Sequence, residues 1–303
     1  MKRVLVTGAR GFIGRHCLGL LKEQGFEVHA LSRGGRCESA QGVFWHKTDL
    51  LDESAVLGRL GEIVPSHLLH LAWYTKHGNY WTATENAAWL RASLTLTEGF
   101  VAFGGRRIVT SGSCAEYDWG PNPLQETTSA LQPKTLYGVC KHALQLVQSS
   151  YAQQAAVSSA WARVFFPYGP NEPPNKLVSS VICALLRGEP ASYSSGAQIR
   201  DYVYVKDVAA ALVRLLDSTV QGPVNIASGE AVHITDIVDE IARQLGRKDL
   251  LRPGTKRQPD GDPAVILADT LRLRQDVGFT PQYDLRTGLA EAIAFWRGEL
   301  NIS

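Results

Sequence analysis

The chain has 303 residues, of which 45% are hydrophobic and 20% are charged, and its formal net charge is +2. Such a composition is typical of a globular protein and lacks both the clustered basic residues of a nucleic-acid binder and an apolar run of about 18 residues. The five cysteines have no paired spacing, which argues against a disulfide framework and a zinc site. We therefore expect a cytoplasmic protein with reduced thiols, no signal peptide, no membrane span and no metal.

The first half of the chain alternates short apolar runs with amphipathic segments. The apolar runs predict strands at 3–6, 27–31, 43–46, 67–72, 107–110 and 160–165. Apolar residues at helical spacing predict helices at 12–23, 87–103 and 136–152. This alternation predicts an α/β fold with a parallel sheet, covered by helices on both faces and joined by right-handed crossovers.

After the turn-rich stretch 171–175, the order of the segments becomes less regular. The apolar spacing there predicts segments at 177–187, 203–216, 234–245 and 285–296. We expect a first domain, residues 1–170, and a smaller lobe, residues 171–303, packed over the carboxyl edge of the sheet. Segments near 202–228 and 264–270 are expected to return to the first domain.

Three glycines, Gly8, Gly11 and Gly14, stand between the first predicted strand and the first predicted helix. Glycines at this point permit a tight turn and let the backbone approach a pyrophosphate, which the helix N-terminus stabilises. A glycine triplet alone is a weak signal, but its position between a strand and an amphipathic helix makes it a strong one. We therefore predict a dinucleotide site at this turn.

The end of the second predicted strand distinguishes between the two nicotinamide dinucleotides. An acidic residue there would bind the ribose hydroxyls of NAD, but Ser32 and Arg33 occupy this place. A hydroxyl beside a guanidinium suits a 2′-phosphate, and Arg10 in the glycine loop is within reach of the same group. We therefore predict NADP(H), with NAD(H) as the alternative if Arg33 is a plain surface arginine. Asp49 is expected to bind the adenine amine or else to cap the segment 50–57.

Tyr137 and Lys141 lie four residues apart and would share one face of a helix. A phenol normally titrates near pH ~10, and a neighbouring ammonium favours the phenolate and lowers that pKa. The pair could therefore serve as the acid or base that is needed when a hydride moves to or from a carbonyl carbon. Taken alone, this spacing is common on helix surfaces, so its weight comes from the accompanying glycine motif.

With both motifs present, the chain resembles the extended short-chain dehydrogenase/reductase family, in particular its nucleotide-sugar epimerase, dehydratase and reductase branch. The likeness extends over nearly the whole chain, through TGARGFIG, HLLHLA, TSGSCAEY, YGVCK, RVFFPYGP, RDYVYVKDV, NIASGE, DPAVILADT and GFTPQYDL. It implies an enzyme with a Rossmann-type doubly wound parallel sheet, a smaller α/β substrate-binding lobe and, by analogy, a homodimer.

The resemblance also assigns roles to individual residues. It implies that Tyr137 exchanges the proton, that Lys141 binds the nicotinamide ribose, and that Ser113, with Ser111 as runner-up, donates a hydrogen bond to the sugar oxygen. Arg200 and Arg257 are expected to meet the diphosphate of a nucleoside-diphosphate sugar. The residues expected at the cofactor are Gly8, Arg10, Gly11, Phe12, Ile13, Gly14, Ser32, Arg33, Asp49, Leu50, Leu71, Ala72 and Lys141. The residues expected at the substrate are Ser113, Tyr137, Arg200, Arg257 and Trp73.

The chain departs from the family pattern at two places where an asparagine is common. Phe166 stands in the pattern R-x-F-N-x-Y-G where the family often has its amide, and Trp89 stands near the place of a second asparagine, from which Asn86 is displaced. Trp73 and Tyr80 belong to an aromatic group that follows the fourth strand. Such residues are usually core, and a wall that stacks on the sugar is the alternative.

The residues that follow Ser113 restrict the reaction. A dehydratase of this family has an acidic pair there, but this chain has Cys114 and Ala115, so 4,6-dehydration is not expected. Glu116 resembles a glutamate in the S-S-E-E-Y-G segment of GDP-sugar 4-ketoreductases. Together with the prediction of NADP(H), this favours reduction of a 4-keto-6-deoxy sugar. A C4 epimerase is the main alternative, and a sensor that binds dinucleotide without turnover is the minor one.

Overall fold

The structure of the chain, a computed structural model, describes residues 2–34, 42–120, 122–258 and 261–302. Its strands are β1 (Lys2–Thr7), β2 (Phe26–Ser32), β3 (Phe44–Lys47), β4 (His67–His70), β5 (Arg107–Ser113), β6 (Ser158–Val164), β7 (Phe166–Tyr168), β8 (Ala191–Ser192), β9 (Ile199–Arg200), β10 (Tyr202–Tyr204), β11 (Gly222–Ile226), β12 (Val232–His233), β13 (Leu251–Arg252) and β14 (Val265–Ile266). Its α-helices are α1 (Gly14–Glu23), α2 (Glu53–Ile63), α3 (Glu85–Ala102), α4 (Leu136–Gln154), α5 (Leu177–Leu186), α6 (Val205–Leu216), α7 (Ile234–Leu245), α8 (Leu271–Gln275) and α9 (Leu285–Glu299).

A seven-stranded sheet forms the centre of the fold, in the order β11-β6-β5-β4-β1-β2-β3. Every neighbouring pair in this sheet is parallel, which confirms the predicted sheet type. The sequence analysis predicted the first six strands, and β11 joins them from a segment that it expected only to return to this domain. The order places the ends of β1 and β4 side by side, which creates the crevice in which such sheets bind ligands.

Helices cover both faces of this sheet because the strands carry apolar residues on both sides. Val4 and Val6 point into a core shared with α1 and α6, and Leu5 points to the opposite face. There it joins a second core, which includes Leu60 of α2 and Phe100 of α3. This two-sided burial explains why the strands have continuous apolar runs instead of alternating ones.

A further apolar cluster lies among α5, α7 and α9, apart from the two cores on the sheet. Ile182, Ile237 and Leu289 are completely buried in it. Around it run short strands, arranged as the three-stranded sheet β12-β9-β14 and the pairs β10-β7 and β13-β8. The segment formed by β10 and α6 leads back to the main sheet, where α6 packs beside α1.

Two broad properties of the chain follow from the described residues. None of the helices in this part of the chain is long and apolar enough to cross a lipid bilayer. Cys17, Cys114, Cys140 and Cys183 are buried free thiols. Cys37 lies outside the described residues.

Candidate active site

A cavity of about 540 Å³ opens along the carboxyl ends of the central strands. Every residue that the sequence analysis expected at the cofactor lines it, as do Trp73, Ser113 and Tyr137. Arg200 and Arg257 are not part of its lining. The fold therefore brings the glycine motif and the Tyr137–Lys141 pair, which are more than a hundred residues apart in the sequence, into one continuous space.

The glycine loop sits where the backbone has no room for side chains. Gly8 has a φ of +68°, and a Cβ added to it would lie 2.8 Å from the backbone nitrogen of Ala72. A Cβ on Gly14 would collide with the carbonyl of Gly8, whose oxygen accepts a 2.8 Å hydrogen bond from Gly11 N. No side chain caps α1 at Ile13. A loop and helix N-terminus of this kind can receive a pyrophosphate.

The opposite end of the same cavity is lined by Arg10, Ser32 and Arg33. The Ser32 hydroxyl accepts a 3.2 Å hydrogen bond from Gly34 N, and both arginines are exposed. Because the guanidinium of Arg10 lies against Gly34, the two arginines flank the turn that follows β2. This turn presents positive charge and a hydroxyl where a carboxylate would favour NAD.

Asp49 lines the cavity, and its carboxylate accepts a 3.1 Å hydrogen bond from Leu51 N. The alternative that Asp49 caps the following helix is wrong. The cap of α2 is Asp52, whose side chain accepts a 3.0 Å hydrogen bond from Ala55 N. The carboxylate of Asp49 is therefore not committed to a helix end.

Tyr137 and Lys141 lie in the first turns of α4, and both are buried. Thr135 caps this helix by accepting a 3.1 Å hydrogen bond from Gly138 N. The Lys141 ammonium donates a 2.7 Å hydrogen bond to the carbonyl of Ser111 and lies 4.0 Å from the ring centroid of Trp73. The pair therefore points into the protein and does not lie on an exposed helix surface.

Of the two candidate serines, Ser113 is the one that acts on the Tyr137 phenol. The Ser113 side chain lowers the pKa of the phenol. The Ser111 hydroxyl instead makes a 3.4 Å contact with the carbonyl of Gly112. This geometry favours Ser113 over Ser111 as the residue that acts together with Tyr137.

Burial, and not the neighbouring ammonium, dominates the ionisation of the pair. Desolvation raises the pKa of Tyr137 above its ordinary value, against the opposing effect of the Ser113 hydrogen bond. Desolvation likewise lowers the pKa of Lys141 to about 7, although the negative charge of Glu116 raises it. The expected lowering of the phenol pKa by Lys141 is therefore corrected: in this structure the phenol remains protonated at neutral pH.

Aromatic residues form the wall of the cavity next to Tyr137. Trp73, Tyr80 and Trp89 line it, and the ring of Tyr80 meets the Tyr137 ring edge-on at 5.0 Å between centroids. Asn86 is fully buried and outside this lining, where its side chain accepts a 2.8 Å hydrogen bond from Trp73 Nε1. The displaced asparagine thus orients Trp73, while Trp89 occupies the wall.

The two arginines expected at the substrate lie outside this cavity. Arg200 is buried and forms a 2.7 Å ion pair with Asp262, and its guanidinium lies 5.7 Å from the ring centroid of Phe166. Arg257 is exposed. Phe166 stands where the family often has an asparagine, and its ring lies near the guanidinium of Arg200.

Several lining residues were not found from the sequence, among them Pro167, Pro173 and Lys176 from the chain beyond β6. Lys176 lies at the start of α5 with its ammonium 6.0 Å from the ring centroid of Phe12 in the glycine loop. The only local signal was the turn-rich stretch 171–175, which indicated a loop without showing that it crosses the cavity.

Comparison with known proteins gives consistent similarities. A model described as the NAD dependent epimerase/dehydratase family matches residues 4–227. A dTDP-4-dehydro-6-deoxy-D-allose reductase of a Streptomyces species is 28% identical over 98% of this chain and 96% of its own length.

Two solved structures are similar over almost their whole length. The UDP-glucose 4-epimerase of Thermus thermophilus, in complex with NAD, is 26% identical with a TM-score of 0.85, and 98% of this chain and 99% of that chain are covered. MoeE5, in complex with UDP-glucuronic acid and NAD, is 31% identical with the same TM-score of 0.85 and the same coverage of 98% and 99%.

The low pKa of Lys141 predicts a pH-dependent stability. Because this pKa lies near 7 in the folded chain and at 10.5 ordinarily, the unfolded state binds the additional proton between these values. Below about pH 7 the folded chain therefore carries the full cost of burying the charged Lys141 ammonium. Above this pH the free energy of unfolding rises by up to about 1.4 kcal/mol per pH unit. Lys141→Met should lack this contribution, so the wild type should gain stability relative to the variant as the pH rises.

Urea denaturation of both chains at several pH values between about 6 and 9 measures this difference in the free energy of unfolding. A constant difference between wild type and variant over that range would contradict a depressed pKa for Lys141.

Proposed function

Because the chain belongs to the NAD dependent epimerase/dehydratase family, whose relatives here include nucleotide-sugar epimerases and reductases, we propose that it is an NADPH-dependent reductase of a nucleoside-diphosphate 4-keto-6-deoxy sugar. The observation that carries this proposal is the arrangement of one cavity. Ser113, Tyr137 and Lys141 meet at one end, and Arg10 and Arg33 stand at the other.

The proposed preference for NADPH rests on charge at the end of β2. Arg10 and Arg33 can pair with a 2′-phosphate, while the Ser32 position supplies no carboxylate to repel it. The family-typical roles of the glycine loop, Asp49, Leu50, Leu71 and Ala72 fit the remainder of a dinucleotide. The solved relatives hold NAD, so NAD(H) is the competing cofactor.

Bound NADPH would supply the hydride that reduces the C4 carbonyl carbon. The phenol of Tyr137, which burial keeps protonated, donates its proton to the oxygen that becomes the C4 hydroxyl. The Ser113 hydroxyl donates a hydrogen bond to the same oxygen while negative charge develops on it. The Lys141 ammonium would hold the nicotinamide ribose.

The aromatic wall supports a 6-deoxy sugar as the substrate. Trp73, Tyr80 and Trp89 offer apolar surface beside Tyr137, which suits a C6 methyl group better than a hydroxyl or a carboxylate.

In the proposed division of the chain between residues 170 and 171, the smaller lobe would hold the nucleoside diphosphate. Arg200 would then exchange its ion pair with Asp262 for the diphosphate, and Arg257 would be a second contact.

A C4 epimerase is the second candidate, and the NAD bound in the two similar structures favours it. The two functions differ in their use of cofactor, because an epimerase regenerates its cofactor within each turnover. Purified protein should be incubated with NADPH and dTDP-4-keto-6-deoxy sugars, and separately with UDP-glucose without added cofactor. Stoichiometric oxidation of NADPH supports the reductase, and isomerisation of UDP-glucose without net oxidation would refute it in favour of the epimerase.

A homodimer is also proposed, with α4 as its contact. Val139, Leu146 and Val147 are exposed large apolar residues of α4. Leu146 and Val147 follow Val139 by seven and eight residues, about two helical turns, so the three lie on one side of the helix. A second copy of the chain would bury this face, in agreement with the dimer that the family resemblance implies.

The phenol of Tyr137 is expected to be indispensable for turnover. Tyr137→Phe should lower the rate of NADPH oxidation by roughly 10²-fold or more, because the proton donor is lost while the ring and its packing remain. The affinity for NADPH, measured by fluorescence titration, should stay nearly unchanged. Tyr80→Phe is the matched control, since it removes a second phenol from the same cavity and should retain activity. Near-normal turnover by Tyr137→Phe would refute the assignment.

Arg33 is expected to determine the cofactor preference. Arg33→Ala should raise the Kd for NADPH by roughly 10-fold or more, which corresponds to the loss of a charged hydrogen bond, and should leave the Kd for NADH unchanged. Arg15→Ala is a suitable control because its guanidinium binds the carbonyl of Arg10 and the side chain of Asn171 and does not line the cavity. Equal weakening of NADPH and NADH would contradict the proposed 2′-phosphate contact.

The apolar face of α4 predicts how the oligomer responds to a charge. Leu146→Glu should convert a dimer to a monomer in sedimentation analysis, because the carboxylate would be buried at the contact. Leu271→Glu is the control, since Leu271 is 55% exposed, compared with 56% for Leu146, but lies on α8. A wild-type chain that is monomeric throughout, or a Leu146→Glu variant that remains dimeric, would refute this contact.

A further inference from the structure

Directly behind the proposed active site lies a completely buried carboxylate, that of Glu116. Its Oε1 accepts hydrogen bonds from the backbone nitrogen of Ser113 at 2.7 Å and from Trp161 Nε1 at 2.9 Å. Its Oε2 accepts one from Arg163 Nε at 2.9 Å, within an ion pair in which both side chains are fully buried. Glu116 does not line the cavity and so does not face a ligand there.

These contacts fix the backbone that carries the Ser113 hydroxyl. The Ser113 side chain accepts a 3.2 Å hydrogen bond from Ala115 N, and Glu116 closes the same turn from the other side by binding Ser113 N. Gly112 has no room for a Cβ, which would collide with the indole of Trp161 and approach the Glu116 carboxylate. The Glu116 carboxylate therefore helps to fix the end of β5, together with the pairing of this strand with β6.

The burial of an ion pair is weak evidence that the pair stabilises the fold. Burying two charges carries a large desolvation cost, and well-packed apolar residues of similar volume often give equal or greater stability. A buried carboxylate that binds the backbone of a site residue is better explained by orientation. Its charge also acts on the site, since Glu116 raises the pKa of Lys141 against the lowering caused by burial.

We propose that Glu116 is a positioning residue, which holds Ser113 in place for its hydrogen bond to the sugar oxygen. The negative charge of the same carboxylate also acts on the Lys141 ammonium. This inference rests on the proposed function of Ser113 and Lys141. Glu116 acts only through these residues, because Ser113 and Lys141 line the cavity and Glu116 does not.

The first test measures the titration of Lys141 by NMR of isotopically labelled lysine, in the chain without added ligand. The groups that face Lys141 are the Ser111 carbonyl, the Trp73 ring, the neighbouring Tyr137, the buried neutral His70 and Glu116. Glu116→Gln should move the pKa of Lys141 further below about 7. A merely structural loosening would expose the ammonium and move this pKa upward, toward its ordinary 10.5.

Glu126→Gln is the matched control for this measurement. Glu126 is also a buried glutamate of the same polar network, and it accepts a 2.8 Å hydrogen bond from Asn225 N, but it contacts neither Ser113 nor Lys141. Its substitution should leave the titration of Lys141 unchanged. An unchanged or raised pKa of Lys141 in Glu116→Gln, or an equal decrease in Glu126→Gln, would overturn the electrostatic part of the proposal.

The second test measures turnover with NADPH and a dTDP-4-keto-6-deoxy sugar. Glu116→Gln should lower kcat by roughly 10- to 100-fold with little change in KM, because a misplaced Ser113 weakens the transition state more than binding. The alkaline limb of the kcat profile should move to lower pH, since Lys141 loses its proton more readily. Wild-type kcat and an unmoved limb would overturn the proposal.

Two further variants keep these outcomes interpretable. If Glu116→Gln does not fold, because Arg163 is left buried without its counterion, the double variant Glu116→Leu with Arg163→Met removes both charges and should fold. That variant should still show the loss of kcat, and wild-type turnover in it would overturn the proposal. Tyr137→Phe distinguishes a failure of the proposed function from a failure of the positioning role. If Tyr137→Phe retains turnover, the proposed function is refuted. If Tyr137→Phe is inactive while Glu116→Gln is fully active, only the positioning role of Glu116 is refuted.

Discussion

The burial of an ammonium beside a phenol is the constraint on which the site depends. Lys141 reaches the interior because its hydrogen bond to the carbonyl of Ser111 and its contact with the Trp73 ring replace part of its lost hydration. Even so, burial pulls its pKa down to about 7, so its charge at neutral pH is only marginally maintained. Any group that adds or removes negative charge nearby therefore changes the state of the site.

The same burial keeps the Tyr137 phenol protonated, which suits an acid that donates to a developing alkoxide. This differs from the expectation from the sequence, in which the ammonium made the phenol acidic, because burial raises the pKa of Tyr137. Glu116 completes this arrangement from behind, at the end of β5, where it binds the backbone of Ser113 and is itself neutralised by Arg163. The buried carboxylate of Glu116 thus joins the backbone of Ser113 to the buried guanidinium of Arg163.

The departures from the family pattern have a common consequence, which is the replacement of amides by apolar rings. Trp89 lines the cavity, and Phe166 packs near Arg200. Asn86 is retained but turned inward, where it fixes Trp73. A wall that stacks on a sugar was the less expected interpretation of these aromatic residues, and their position beside Tyr137 gives it support.

The sequence by itself determined the features that arise within one turn or one strand. The strand–helix alternation, the glycine loop and the four-residue spacing of Tyr137 and Lys141 are local patterns. The structure has the corresponding strands, helices and loop at these positions of the chain. Tertiary structure alone decided how strongly these groups are buried, and hence that desolvation outweighs the ammonium in setting the pKa of the phenol. It also decided the ion pairs of Glu116 with Arg163 and of Arg200 with Asp262, because these partners lie 47 and 62 residues apart and no local pattern joins them.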